Sequence, residues 1–230
     1  MTQRVVLLMG LVGVLEASPS LGQPFGRAGG EFRVNEATTG FQREPSVGMD
    51  ANGRFFVVWA GPDQGNRGVF GRRFHFNGSP IDATDFRVNV NTTGDQFLPW
   101  VAVAPDTSFD ATVVYEKDAA TGNLGFARRF DSTGPLTGAF QVGSATSIYY
   151  VYPHAAADAT GAFVVVWNQG GSVMGQRYSS AGAALGSEFT AGSEPTNGSP
   201  RVARAPGGEF VVTWLSGNMK LSAHRYSANG

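Results

Sequence analysis

Apolar residues run almost unbroken through Phe55-Phe56-Val57-Val58-Trp59. The run returns as Ala111-Thr112-Val113-Val114-Tyr115, Phe163-Val164-Val165-Val166-Trp167 and Phe210-Val211-Val212-Thr213-Trp214. Short runs rich in β-branched and aromatic residues, bounded by turn residues, predict strands buried on both faces. Each is preceded by a proline-led strand with a small fourth residue: Pro45-Ser46-Val47-Gly48, Pro99-Trp100-Val101-Ala102, Pro153-His154-Ala155-Ala156 and Pro200-Arg201-Val202-Ala203. The prolines lie 54, 54 and 47 residues apart. Each run is followed by an arginine–aromatic strand ending at Phe74, Phe130, Tyr178 or Tyr226. A fourth element, Phe32-Arg33-Val34-Asn35, recurs as Phe86-Arg87-Val88-Asn89 and fades to Phe140-Gln141-Val142-Gly143 and Phe189-Thr190-Ala191-Gly192. The proline, apolar, arginine and phenylalanine strands are designated A, B, C and D.

Asp50-Ala51-Asn52-Gly53 and Asp158-Ala159-Thr160-Gly161 supply tight A–B turns. Four strands per unit of about 50 residues predict an all-β fold, a β-propeller-like array of four four-stranded repeats. The array is either a small closed ring or a partial propeller. The units span roughly 31–84, 85–138, 139–187 and 188–230. A β-sandwich is the alternative, but it has no need of a fixed period. The small A-strand residues Gly48, Ala102, Ala156 and Ala203 place that strand innermost, where blades crowd. The first D element has no unit before it and the last unit has no D element after it. A closed ring would pair the two and remove two sheet edges. Truncation, or completion of one ring by two or more chains as a homo-oligomer, would explain the same pattern.

The combined pattern of Glu-Phe-x-Val-Asn, Pro-x-Val-Ala, Asp-x-x-Gly-x-Phe-Val-Val-Val-Trp and Gly-x-Phe-Gly-x-Arg-Phe resembles a tandem repeat of secreted bacterial β-propeller-like proteins. The likeness covers residues 30–230, clear in the first two units and eroded in the last two. It implies export and propeller-like repeats, and it carries no catalytic residues. Phe130-Asp131-Ser132-Thr133-Gly134 is also similar to the Asp-box of sialidase-type propellers, without its threonine–tryptophan end.

Charge and composition narrow the functions. The net charge of -1 leaves no footprint for nucleic acid or an anionic membrane. With no cysteine, disulfides, thiolate metal sites and a cysteine nucleophile are excluded. Arg4, the apolar run Val5 to Leu15 and the small-residue site Ser20-x-Gly22 predict a signal peptide over 1–22. The expected product is a single repeat domain, 23–230, secreted, periplasmic or on the cell surface, with no membrane insertion after cleavage.

Candidate chemistry is sparse. Arg73, Arg129, Arg177 and Arg225 recur once per unit on an outer strand and cannot converge on one ligand. Trp59, Tyr115, Trp167 and Trp214 recur at the end of the most buried strand, which suits core packing. Asp50 to Gly53 begins like a calcium loop but lacks the remaining ligands and closing glutamate. His75, His154 and His224 have no zinc spacing. No catalytic set, metal site or cofactor is expected.

One position breaks the repetition. The residue after the A-strand proline is Ser46, Trp100, His154 or Arg201, and strand period places it facing the axis. Loops expected on the same rim carry Glu44, Gln96, Tyr149, Tyr150 and Tyr152, and Asp63, Gln64, Glu116, Lys117, Asn168 and Gln169. A repeating scaffold with one diversified rim points to a binding site there. Ser46, Trp100, His154, Arg201, Tyr150 and Tyr152 are the candidate ligand contacts, for a glycan or a protein partner. A propeller glycoside hydrolase or lyase, needing two facing acids, is the alternative function. A structural segment of a larger surface protein is the third.

Overall fold

The computed structural model describes residue 26 and residues 28–136, 138–147, 150–192, 199–216 and 219–229. The signal-peptide segment and Tyr149 lie outside the described residues. Among the described residues there is no helix, and therefore none long and apolar enough to cross a membrane.

Among the described residues, fifteen strands form four antiparallel sheets, each built from strands consecutive in the chain. Blade 1 holds β1 (Arg43–Met49), β2 (Phe55–Asp63), β3 (Asn66–Phe74) and β4 (Phe86–Arg87). Blade 2 holds β5 (Gln96–Val103), β6 (Ala111–Ala119), β7 (Gly122–Phe130) and β8 (Phe140–Ser147). Blade 3 holds β9 (His154–Ala157), β10 (Phe163–Gln169), β11 (Ser172–Tyr178) and β12 (Ala184–Gly192). Blade 4 holds β13 (Arg201–Arg204), β14 (Phe210–Leu215) and β15 (Leu221–Tyr226). The strand order is A-B-C-D in the three complete sheets and A-B-C in the fourth.

The core lies in the seams between sheets. Phe56 and Val58 of blade 1 pack with Val113, Tyr115 and Phe130 of blade 2. Val114 of blade 2 packs with Phe163, Val165 and Trp167 of blade 3. Val164 and Val166 of blade 3 pack with Phe210, Val212 and Trp214 of blade 4. Alternate B-strand side chains therefore enter opposite seams, which is why that strand is apolar at nearly every position. Each fully buried valine or phenylalanine contributes about 1.5–3 kcal/mol. Consecutive A strands lean on one another, β1 on β5, β5 on β9 and β9 on β13. The small A-strand residue has a direct cause: a Cβ on Gly48 would stand 2.7 Å from Val103 of the next blade. The result is a propeller-like array; a two-sheet sandwich would have one core, not three successive seams.

Candidate functional site

The rim at the start of the A strands is shaped by a repeated backbone kink. Glu44, Leu98 and Tyr152 each have positive φ (57°, 49° and 46°), and each immediately precedes a proline. An L-residue in this region is strained by roughly 1–2 kcal/mol, and proline further restricts the residue before it. The A–B register slips at the same place, between Arg43 and Ser46 in blade 1 and between Phe97 and Trp100 in blade 2. Neighbouring blades hold the kinks in place. Glu44 accepts the Leu98 N–H at 2.7 Å, and Glu116 accepts the N–H groups of Val151 and Tyr152, each at 3.1 Å.

Around these bonds the rim gathers aromatic and charged groups. Arg67 pairs with Asp95 at 2.9 Å, lies 4.2 Å over the Phe97 ring and comes within 4.0 Å of Glu44. Phe97 meets Tyr150 edge-on at 5.9 Å, and Tyr150 meets Tyr152 at 5.4 Å. Tyr150 is 51% exposed. Glu116 is fully buried, and its Oε1 has no hydrogen-bond partner. Burial lifts its carboxyl to about 7, partly offset by the two N–H bonds and Arg67 and reinforced by the charge of Glu44. Burial, with Glu116 and Tyr150 nearby, also raises the Tyr152 hydroxyl.

In blades 1 to 3 the diversified position after the proline turns into the seams. Ser46 Oγ accepts the Val101 N–H at 3.2 Å, Trp100 Nε1 donates to the Ala155 carbonyl at 3.0 Å, and His154 Nδ1 accepts the Val202 N–H at 3.2 Å. Ser46 and His154 are buried. Trp100 and His154 stack at 4.0 Å, and the exposed Arg201 lies 5.8 Å over the Trp100 ring. Burial first, then Arg201, pushes His154 down to about 3, so it accepts as neutral imidazole. The period of 2 put these side chains on the correct face of the strand. Their bonds, and the contact that a Cβ on Gly48 would make with Val103, show that this face meets the next blade.

Neither family models nor curated proteins match this sequence. Among solved structures, the chain is similar to a fungal fucose-binding lectin from Aleuria aurantia with a six-bladed β-propeller fold. That pair shares 12% identity at a TM-score of 0.51, over 79% of this chain and 57% of the lectin. It is also similar to an endo-arabinase from Bacteroides thetaiotaomicron, at 13% identity and a TM-score of 0.52, over 85% of this chain and 79% of the enzyme. The chain thus spans less than two thirds of the lectin's length. At these identities the likeness establishes the propeller fold and nothing finer.

The remaining rim residues resolve into scaffold and site. Gln96 is buried, holding the Thr93 and Gly94 carbonyls and the Asn89 amide. Asp63 pairs with Arg87, and Gln169 accepts the Trp167 indole N–H. Gln64 occupies a positive-φ turn, Lys117 lines a groove beside Tyr115 and Phe126, and Asn168 donates its backbone N–H to Val151. The rim cluster is Glu44, Glu116, Tyr150 and Tyr152, with Arg67, Asp95 and Phe97, which sequence reading missed. The signal available for Phe97 was its place beside Gln96 at the start of an A strand. Arg73, one of the periodic arginines, is structural in blade 1: it chelates Asp82 and donates to the Asp131 carbonyl of the next blade.

Proposed function

We propose that this chain is a carbohydrate-binding propeller module that takes its ligand at the axial rim, against Tyr150 and Tyr152. The observation carrying the reading is the exposed Tyr150, set edge-on against Phe97 and 5.4 Å from Tyr152 in a cluster that also holds the Glu44 and Asp95 carboxylates. Tyrosine rings stack on sugar C–H faces, and carboxylates accept sugar hydroxyls. The lectin neighbour recognises fucose and the other neighbour is an arabinase, which supports a sugar as the ligand class. Ser46, Trp100 and His154 bond the next blade, and Arg201 lies over Trp100. The module is exported after cleavage near Gly22, which N-terminal sequencing of the secreted protein tests.

A glycan array followed by calorimetry tests the binding. Tyr150→Ala is expected to weaken the best ligand at least tenfold while leaving the melting temperature within about 2 °C, because an exposed side chain contributes little to stability. No glycan above background, or unchanged affinity in both Tyr150→Ala and Tyr152→Ala, overturns the site. A second reading rests on Glu116, a carboxyl that burial lifts to about 7, which suits the general acid of glycoside hydrolysis, with Glu44 as the second carboxylate. Release of reducing sugar from the bound glycan, abolished by Glu116→Gln, would decide for the enzyme.

A further inference from the structure

Each of the three seams is built by the same rules. The residue after an A-strand proline bonds the backbone of the second residue after the next blade's proline: Ser46 to Val101, Trp100 to Ala155, His154 to Val202. The D-position phenylalanine stands opposite a small residue of its own sheet, Phe86 opposite Gly71, Phe140 opposite Ala127 and Phe189 opposite Gly175. It then packs on the C-strand aromatic of the next blade, Phe130, Tyr178 or Tyr226, at 5.7, 5.6 and 5.1 Å.

The two outer faces of the array carry the unfilled halves of this seam. On blade 1, Val47 is 61% exposed, whereas its counterparts Val101, Ala155 and Val202, each covered by a preceding blade, are 3%, 2% and 5% exposed. Phe32 already sits on Phe74 at 5.5 Å, in the place that a preceding blade's D phenylalanine takes, yet residues 32–35 join no sheet. On blade 4, the sheet stops at β15. Ala223 occupies the position of Gly71, Ala127 and Gly175 and is exposed, with no phenylalanine opposite it among the described residues.

We propose that two copies of this chain associate head to tail, with blade 4 of one docking on blade 1 of the other. Residues 32–33 of the second copy then add to β15 as its missing fourth strand. The register shared by the three complete sheets places Phe32 opposite Ala223 and Arg33 opposite Ser222. Arg201, a donor only, gives its guanidinium hydrogen to the Val47 carbonyl, as Trp100 does to Ala155. A second copy is the fitting occupant because each face needs the complement that the other face of the same chain displays. Such a contact is heterologous, and two of them about a two-fold axis close a ring of eight blades, at the upper end of the usual propeller range.

The absence of cysteine makes the test direct. Arg33→Cys and Ser222→Cys chains are prepared separately, mixed and oxidised, and Phe32→Ala is sedimented beside the parent. The proposal expects a disulfide-linked pair at twice the mass of the single chain in the mixture and not in either variant alone. It also expects the parent to sediment as a dimer that Phe32→Ala dissociates at least tenfold more readily. A parent that stays monomeric at every concentration overturns it. So does a chain carrying both cysteines that closes only on itself, at monomer mass.

Discussion

Glu116 and His154 flank the start of the third A strand and titrate in opposite directions. The Glu116 carboxyl, facing Arg67 and Glu44, rises from an ordinary 4.5 to about 7 on folding. The folded state therefore holds that proton more tightly. Its contribution to stability is full below about pH 4.5 and is lost as pH rises through about 7. His154, facing Arg201, falls from 6.5 to about 3. Its contribution is full above about pH 6.5 and is lost as pH falls toward 3. Between pH 4.5 and 6.5 the two slopes oppose, each on the order of 1 kcal/mol per pH unit. Urea unfolding at several pH values separates them. Relative to the parent, Glu116→Gln should gain stability as pH rises across this window, and His154→Asn should lose it. Two variants that both run parallel to the parent would refute the account. Sequence reading located both residues on the rim, because diversity in a repeat is visible. It missed their burial, because a period of 2 groups residues on a face and does not say what covers that face.

The four strand types were legible, but their lengths ran against expectation. The intact motif Phe86-Arg87-Val88-Asn89 gives the shortest D strand, whereas the faded copies give β8 and β12 of eight and nine residues. Asn89 explains the short one: its side chain accepts the Val69 N–H at 2.8 Å, replacing the backbone ladder, and donates to Asn91 and Gln96. The faded copies carry Gly143 and Gly192 instead. A Cβ there would stand 2.9 Å from Trp167 and 2.7 Å from Trp214, B-strand residues of the following blade. Asn89 faces a seam whose B strand carries Tyr115 in that place. In these two seams glycine accommodates the larger neighbour, whereas Asn35 lines a pocket with Trp59, so residue type alone does not fix the pairing. Gly143→Asn should destabilise by about 1–3 kcal/mol through overpacking. Trp167→Tyr in the same chain should restore at least 0.5 kcal/mol of that, the coupling expected of residues in contact. Strictly additive losses in thermal or urea unfolding would separate the two positions.

Apart from Arg201 over Trp100, the core packing joins each blade to its neighbours, so stability is distributed seam by seam, as in other repeat proteins. The number of units and their order could be read from the period, because each unit repeats the apolar strand that two seams share. The seams themselves could not, because Ser46, Trp100 and His154 bond the same backbone position with a hydroxyl, an indole and an imidazole, two accepting its N–H and one donating to its carbonyl. No residue-type pattern marks a role that three chemistries fill. The seam between blades 3 and 4 depends on the A-strand bond from His154 to Val202, the packing of Phe189 on Phe210 and Tyr226, and the Asp158–Arg204 ion pair at 2.8 Å. Among the described residues, blade 4 has one covered face, whereas blades 2 and 3 have two. His154→Leu leaves the Val202 N–H buried without an acceptor, a loss of about 1–3 kcal/mol. In the dilute chain, hydrogen exchange should then speed up first in β14 and β15, while β2 and β6 keep the parent's protection. A uniform rise across all four blades would instead mean that the array unfolds as one cooperative unit and that the seams are not its weak points.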